Sequence, residues 1–278
     1  MNITLPNGTI WDAHLYAPPQ TFINHFNQFG TTAPPLLETH PQLTYPPSDN
    51  WQATTSNPNA YASILEYHAG TSHPTIHAAV AEAVYALGWE RNPHTVKLAC
   101  FAPLIQNRNV WRHTPYLALF DAEPARTVLS ASYWVQWLFG RYRGRETVEV
   151  EGQAGFGPVY WVGSIDADVG SVYLKVVNAG EKWEGLSVGL DVGVVGWNGT
   201  TVHAEVPEER GAFNDVGKDV VFPREVEGLA RGGDGRVGWS VPPWSVSVLQ
   251  FDVEAKEEDR DAGPPSAAGL EAEQQVLL

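Results

Sequence analysis

The sequence predicts two kinds of structure in succession: an α/β part over residues 1–143 and an all-β part over residues 144–253. In the first part, apolar runs that resemble strands alternate with segments of helical spacing, which predicts βα units and a parallel sheet. In the second part, short alternating runs such as SVYLKVVN and SVSVLQF are separated by Gly, Asn, Asp and Pro. That pattern is typical of a β-sandwich.

The α/β part contains three predicted strands and three predicted helices. The strands are TIWDAHLY (9–16), YASILEY (61–67) and VKLACFAPLI (96–105), and the helices cover residues 18–30, 75–91 and 127–140. The third strand is apolar throughout, as expected of a buried parallel strand. The second helix follows Pro74 and places Ile76, Val80, Val84 and Leu87 on one face.

The number of βα units bears on how the sheet can close. A closed (β/α)8 barrel needs eight units and typically about 250 residues. Residues 1–143 supply about three units, and three parallel strands cannot close because their outer edges would carry unpaired backbone groups. We therefore expect a partial (β/α)8 barrel followed by a C-terminal β-sandwich, in a chain that starts in the middle of a larger fold.

Composition excludes several classes of partner. The net charge of −15 argues against nucleic acid or an anionic membrane surface, since both need a basic footprint. No apolar run approaches the roughly 20 residues that span a bilayer, and the N-terminus lacks the features of a signal peptide.

Cys100 lies in an apolar run and is expected to be a buried, inert thiol. Residues 254–278 are acidic and rich in Ala, Gly and Pro, which predicts a disordered tail.

Glu66 ends the predicted strand YASILEY, and this carboxylate has two interpretations. It is either an exposed loop charge or a group that a strand presents to a site. Retaining glycosidases use two carboxylates about 5 Å apart, one as nucleophile and one as general acid/base. In a barrel both lie at the carboxyl ends of strands, a position that suits Glu66 as the nucleophile.

Several stretches, in order along the chain, resemble the α-L-arabinofuranosidases of glycoside hydrolase family 51, particularly the fungal members. They are WDAHLYAPPQTFINHFNQF, ILEYHA, AEAVYALGWERNPHTVKLACFAPLIQN, SYWVQWLF and VPPWSVSVLQF. The resemblance is strong over 79–107 and 132–139 and weak over 150–240. It implies that the α/β part is about the last three βα units of the catalytic barrel.

The resemblance also implies roles for individual residues. Glu66 matches the family's nucleophile, and Tyr16 would hydrogen-bond its carboxylate and help keep it ionised. His14 would line the sugar subsite, and Asn107 would bind substrate. The implied substrate is an arabinose-containing polysaccharide or oligosaccharide such as arabinan or arabinoxylan, hydrolysed with retention and without a cofactor or metal. Family members act outside the cell, although this chain shows no signal peptide.

Three departures from the family pattern affect these roles. Leu65 stands where the family usually has Gly, and residues 113–116 read HTPY where the family has Trp-Thr-Pro-Asp. The family's acid/base Glu follows an Asn, and this chain contains no Asn-Glu dipeptide. The acid/base is therefore expected to be absent. Asp12, Glu38 and Asp121 are carboxylates that could lie near the site, but their spacing does not mark them as substitutes.

Other functions stay open at this point. His68, His73 and His77 invite a zinc hypothesis, although Pro74 interrupts the run and a zinc site needs converging ligands. Sequons at Asn2, Asn7 and Asn198 weakly favour a glycosylated, secreted protein. The main alternative to an enzyme is a non-catalytic carbohydrate-binding module or an inactive fragment.

Overall fold

The computed structural model describes residues 10–30, 61–109, 116–121, 123, 126–253 and 275–277. These residues divide into two compact units by their contacts. The first unit holds the described residues of 1–133 together with 210–221, and the second holds those of 134–209 and 222–278. The division therefore falls earlier than the predicted boundary at 143/144, and a later segment returns to the first unit.

The first unit is built on a parallel sheet with strand order β1-β2-β3. Its elements are β1 Ile10–Ala17, α1 Pro19–Asn24, β2 Tyr61–Ala69, α2 Ile76–Glu90 and β3 Val96–Phe101. The predicted parallel pairing is thus confirmed for these three strands. Helix α1 is shorter than the predicted helix over 18–30, because turns replace helical hydrogen bonding after Asn24.

Helix α2 contributes Ala78, Ala81 and Tyr85 to the first unit's core. Thr75 caps its first turn by accepting a hydrogen bond from the Ala78 N–H at 3.3 Å. Every residue from Ile76 to Gly88 except His77 is buried, so burial is not confined to one face, because alanines at many positions let neighbouring backbone approach on several sides. The returning segment covers its start, where the Ile76 N–H donates to Ala212 O at 2.8 Å.

The predicted strand over 96–105 is interrupted. β3 ends at Phe101, Pro103 supplies no N–H to continue the ladder, and β4 Ile105–Asn107 begins a second sheet. That sheet pairs β4 with β5 Ala118–Phe120 in parallel and β5 with β6 Val128–Leu129 in antiparallel orientation.

The expectation of a buried third strand is wrong. Leu98 is 52% exposed and Cys100 is exposed, because their side chains alternate with Ala99 and Phe101, which face the core, and lie on the opposite face of the sheet. The predicted helix over 127–140 is also corrected at its start. Residues 128–129 form strand β6, and helix α3 runs from Ala131 to Arg141. Ser130 precedes the helix, and its side-chain oxygen accepts the Tyr133 N–H at 3.1 Å.

The second unit is β-rich, as the alternating runs predict. Its strands form one sheet with the order β12-β11-β15-β9-β8-β7-β16-β10-β14-β13. They are β7 Glu146–Glu151, β8 Val159–Asp166, β9 Ser171–Asn178, β10 Glu184–Leu190, β11 Val194–Ala204, β12 Val221–Glu225, β13 Ala230–Arg231, β14 Val237–Val241, β15 Ser245–Val253 and β16 Gln275–Leu277.

A single core shows that this sheet folds back on itself. Trp161 and Leu249, from one half of the strand order, pack in the same cluster as Val188 and Trp239 from the other half. Strand β9 is buried along its whole length. On its other side, Lys175 Nζ lies 4.4 Å from the centre of the Phe139 ring of α3.

The predicted disordered tail is corrected in one place. Residues 275–277 form β16, which pairs in parallel with β7 and in antiparallel orientation with β10. Both neighbours would otherwise present unpaired N–H and C=O groups at this point of the sheet, and the short strand satisfies them. The rest of the tail lies outside the described residues. Among the helices that the structure describes, none has the length and apolar character to cross a bilayer.

Candidate active site

One face of the first unit's sheet carries a cluster of polar side chains. Along β1 the exposed positions alternate with the buried Leu15 and Ala17, since successive side chains in a strand point to opposite faces. Along β2, Tyr67 and Ala69 are buried in the core. The side chains on the opposite face are those of Asp12, His14 and Tyr16 from β1 and of Glu66 and His68 from β2.

An irregularity in β2 turns Glu66 toward β1. Ala13 pairs with Ile64, but the next residue, His14, pairs with Glu66, so Leu65 is an extra residue in the ladder. The pairing of β2 with β3 shifts at the same place. Bulges of this kind re-aim a side chain and are common beside active sites. The insertion places Leu65, which is 37% exposed, beside the carboxylate where the family usually has Gly.

Tyr16 and Glu66 form the central contact of the cluster. The Tyr16 hydroxyl donates a hydrogen bond to Glu66 Oε2. Burial, the hydrogen bond to Glu66 and the negative charge of Glu66, in that order, raise the pKa of the Tyr16 phenol. Tyr16 therefore keeps its proton at ordinary pH and remains a donor to the carboxylate.

His14 lies between two carboxylates. Its Nε2 is 2.9 Å from Asp12 Oδ2 and its Nδ1 is 3.5 Å from Glu66 Oε2. Because a carboxylate only accepts hydrogen bonds, the contact with Asp12 is a hydrogen bond in the tautomer of His14 that has its proton on Nε2. The other oxygen of Asp12, Oδ1, accepts the Leu65 N–H at 3.4 Å. Asp12 thus orients the imidazole and also contacts the backbone beside Glu66.

His68 packs on the far side of Tyr16. The two ring centres are 4.5 Å apart, and His68 Nδ1 lies 2.6 Å from the carbonyl oxygen of Ala102. The Tyr16 ring is therefore confined by His68, which helps to hold its hydroxyl against Glu66. Sequence reasoning proposed no such role for His68, although its spacing of two from Glu66 on a strand is a signal that could have found it.

The other predicted residues lie elsewhere. Asn107 ends β4 in the second small sheet, where its Oδ1 accepts the Asn109 N–H at 2.9 Å. Asp121 forms an ion pair with Arg126 at 3.3 Å. Glu38 lies outside the described residues, as do residues 113–115. The described part of the chain therefore places one of the three alternative carboxylates, Asp12, in contact with the Glu66 cluster.

The three histidines of the zinc hypothesis have separate partners. His68 contacts Ala102 and Tyr16, His73 stacks on Phe213 with ring centres 4.2 Å apart, and burial lowers the pKa of His77 on helix α2. Over the described ranges, no group of three or more His, Cys, Asp or Glu side chains is arranged to hold a metal ion.

A family model described as "Alpha-L-arabinofuranosidase C-terminal domain" matches residues 49–245. Alpha-L-arabinofuranosidase A of Aspergillus niger is 32% identical over 247 residues, which cover 88% of this chain and 34% of that protein. A probable alpha-L-arabinofuranosidase A of Aspergillus terreus is 36% identical over 176 residues, covering 63% of this chain and 27% of the relative. The chain thus spans about a third of the length of the curated relatives it matches.

Solved structures show the same fold. An arabinose-bound α-L-arabinofuranosidase called MgGH51 superposes with a TM-score of 0.65 at 21% identity, covering 88% of this chain and 37% of its own. The GH51 arabinofuranosidase of Xanthomonas axonopodis pv. citri gives a TM-score of 0.59 at 15% identity, covering 87% of this chain and 52% of its own. The predicted resemblance to family 51 is confirmed, and the chain belongs to the family of α-L-arabinofuranosidase C-terminal domains.

Proposed function

We propose that this chain is the C-terminal part of a retaining α-L-arabinofuranosidase in which Glu66 is the nucleophile. The observation that carries the proposal is the position of Glu66. It projects from a bulge near the carboxyl end of a parallel strand, with the Tyr16 hydroxyl and the His14 ring both directed at Oε2. Its side chain is 46% exposed, so a sugar can reach it.

The contacts of Glu66 support different roles for its two carboxylate oxygens. Tyr16 and His14 contact Oε2, and we assign Oε1 to the attack on the anomeric carbon of an arabinofuranosyl residue. The C–O bond to the leaving group breaks as the bond to Oε1 forms, which gives a covalent glycosyl-enzyme. Water then releases the sugar with net retention. Tyr16 holds Oε2 throughout without losing its own proton.

The fold proposal extends the same interpretation. We infer that β1, α1, β2, α2 and β3 are part of a (β/α)8 barrel and that the second unit is its accompanying β-sandwich. Parallel strands joined by helices, with the candidate nucleophile near a carboxyl end, support the first inference. The core shared between both halves of the β-rich sheet supports the second.

The proposed substrate is a terminal arabinofuranosyl residue of arabinan or arabinoxylan, which would place the protein in hemicellulose degradation outside the cell. The name of the Aspergillus niger relative, an alpha-L-arabinofuranosidase, supports the sugar. Asn198 is exposed on β11, where a glycan on its sequon could be accommodated. A secreted glycoprotein is therefore part of the proposal.

The activity of residues 1–278 is proposed to be severely impaired. A positioned general acid typically contributes about 10²–10⁴-fold to rate, and the family's Asn-Glu motif does not occur in this sequence. Aryl arabinofuranosides with good leaving groups need little protonation. They should therefore form the covalent intermediate when natural arabinan is hardly cleaved.

The test is to express residues 1–278, add an activated aryl arabinofuranoside, and measure phenol release together with the intact mass of the protein. We expect slow release and a mass increase of one pentosyl unit that maps to Glu66. Glu66→Gln should show neither signal. Glu149→Gln, at an exposed position on β7, is the matched control and should behave as the wild type.

Two outcomes would contradict parts of the proposal. Efficient turnover of arabinan would show that an acid/base was missed, and Asp12→Asn would then be the first variant to examine. An adduct on a residue other than Glu66 would remove the nucleophile assignment. Absence of both turnover and adduct, in protein that binds arabinan, would favour the alternative of a non-catalytic carbohydrate-binding fragment.

A further inference from the structure

A carboxylic acid lies completely inside the first unit, away from the polar face of the sheet. Glu82 is on helix α2 and is 1% exposed. A buried carboxyl group costs free energy unless hydrogen bonds replace those it made with water. Its presence between Ala81 and Ala83 therefore requires an explanation that apolar packing does not supply.

Both carboxyl oxygens of Glu82 form hydrogen bonds. Oε1 accepts the backbone N–H of Ala69 at 2.8 Å, and Oε2 contacts the Ser132 hydroxyl at 2.6 Å. Ala69 is the last residue of β2, and Ser132 lies in the first turn of α3. One side chain thus joins the end of the strand that carries Glu66 to two helices.

The contact with Glu82 adds to other hydrogen bonds at the end of β2, where Tyr67 O accepts the Ala102 N–H at 3.2 Å and Ala69 pairs with Ala17 of β1. After the bulge, the strand reaches Glu66, Tyr67 and His68 before it ends at Ala69. The next N–H, that of Gly70, donates to Ala17 O at 2.7 Å, which anchors the same end to β1. Loss of the Glu82 contact would leave the buried Ala69 N–H without this acceptor, and it would weaken the end of the strand that carries Glu66 and His68.

We propose that Glu82 is a positioning residue that holds the carboxyl end of β2, so that Glu66 stays against the Tyr16 hydroxyl. This rests on the proposed function for its catalytic meaning, but the positioning itself is a structural claim. Glu82 acts through Ala69 and the strand backbone and does not touch the substrate.

The protonation of Glu82 predicts which side chain can replace it and keep both hydrogen bonds. Burial raises the pKa of Glu82 to about 8, against the opposing effect of the two hydrogen bonds, so the group is a neutral acid at mildly acidic pH. A neutral acid accepts through one oxygen and can donate through the other. Gln has the same shape, accepts the Ala69 N–H through its carbonyl, and donates from its NH₂ to Ser132 Oγ.

The experiment compares residues 1–278 with Glu82→Gln, Glu82→Ala and Ser132→Ala, with Glu149→Ala as the exposed control. One measurement is hydrogen exchange at the Ala69 amide. The second is the chemical shift of the Tyr16 ring carbon that bears the hydroxyl, followed by NMR of labelled tyrosine, because that shift responds to the hydrogen bond from the hydroxyl to Glu66. Neither measurement requires turnover, so failure of the proposed function would not be mistaken for failure of this proposal.

We expect Glu82→Ala to speed exchange at Ala69 by about tenfold or more, as the loss of a buried hydrogen bond implies. The Tyr16 chemical shift should move toward that of a tyrosine without this hydrogen bond, and Glu82→Gln should behave as the wild type in both measurements. A folded Ala variant in which neither signal moves would overturn the proposal, and so would a Gln variant as impaired as Ala.

If Glu82→Ala does not fold, the comparison rests on Glu82→Gln and Ser132→Ala. Wild-type behaviour of the Gln variant, with intermediate exchange at Ala69 in Ser132→Ala, supports the proposal. Unchanged exchange in Ser132→Ala together with a displaced Tyr16 signal in the Gln variant overturns it.

Discussion

Replacing Gly88 by alanine tests a close contact between helix α2 and neighbouring backbone in the first unit. Gly88 lies near the end of α2, and a Cβ atom built on it would be 2.2 Å from the carbonyl oxygen of Phe26 and 3.1 Å from its carbonyl carbon. These are backbone atoms, so no side-chain rotation relieves the overlap. The substitution requires α2 and the turn after α1 to separate.

The expected change in the free energy of unfolding is the difference between two opposing contributions. Alanine in a helix interior is favoured over glycine by about 1 kcal/mol. Overpacking of a close backbone contact costs typically 1–3 kcal/mol, and a separation of 2.2 Å places this site at about the upper end. We therefore expect Gly88→Ala to lower the free energy of unfolding by about 2 kcal/mol net.

Gly140 is the matched control. It also lies in a helix, α3, but a Cβ atom there would meet nothing within 4 Å. Gly140→Ala should therefore stabilise its helix by up to about 1 kcal/mol. The two identical substitutions are expected to have effects of opposite sign, because one position is in close contact and the other is open.

Peptide-resolved hydrogen exchange measures the two helices separately in the same protein, and urea denaturation gives the overall change. In Gly88→Ala, amides of α2 should exchange about 30-fold faster, the equivalent of about 2 kcal/mol. In Gly140→Ala, amides of α3 should exchange no faster than in the wild type. Unchanged or slower exchange of α2 in Gly88→Ala would refute the close contact with Phe26 and the reasoning built on it.

Two further predictions concern buried polar groups. Because the pKa of Glu82 is about 8 in the folded protein against 4.5 ordinarily, the folded state retains a proton that the unfolded state has lost between these values. The free energy of unfolding should therefore fall by at most about 5 kcal/mol as pH rises from about 4.5 to about 8. The urea midpoint of Glu82→Gln should lack this decrease, because Gln does not ionise. A wild type and a Gln variant with the same pH dependence would contradict it. Asn214 is buried and forms four hydrogen bonds with the backbone, including those to Leu129 O at 2.9 Å and to Val221 O at 2.6 Å. Asn214→Ala should cost about 3 kcal/mol in the free energy of unfolding, against less than about 0.5 kcal/mol for the exposed Asn198→Ala. Equal urea midpoints for these two variants would show that the Asn214 bonds do not stabilise the fold.

Local patterns in the sequence were sufficient to predict much of the secondary structure. Apolar runs predicted β1 and β2, and apolar residues at helical spacing after Pro74 predicted α2 to within one residue of each end. Secondary structure of this kind follows from neighbours a few residues apart. The same motifs identified the family, which the family model confirms.

The errors arose where burial depends on distant neighbours. VKLACFAPLI is apolar, yet Leu98 and Cys100 are exposed, because exposure is decided by what packs against each face of β3. The acidic tail contains a short strand because β7 and β10 offer backbone partners to residues 275–277. Neither feature is encoded in the composition of the segment itself.

By itself, the sequence determined the order of strands and helices, the family and the identity of Glu66 and Tyr16 as candidates, because these depend on local periodicity and on short motifs. Only the tertiary structure decided how the candidate site is assembled. The bulge at Leu65, the contact between Asp12 and His14, and the buried Glu82 behind Ala69 each join residues of different elements. Such contacts depend on strand register and on the depth at which a helix packs, and the free energy of both is set by groups far apart in the chain.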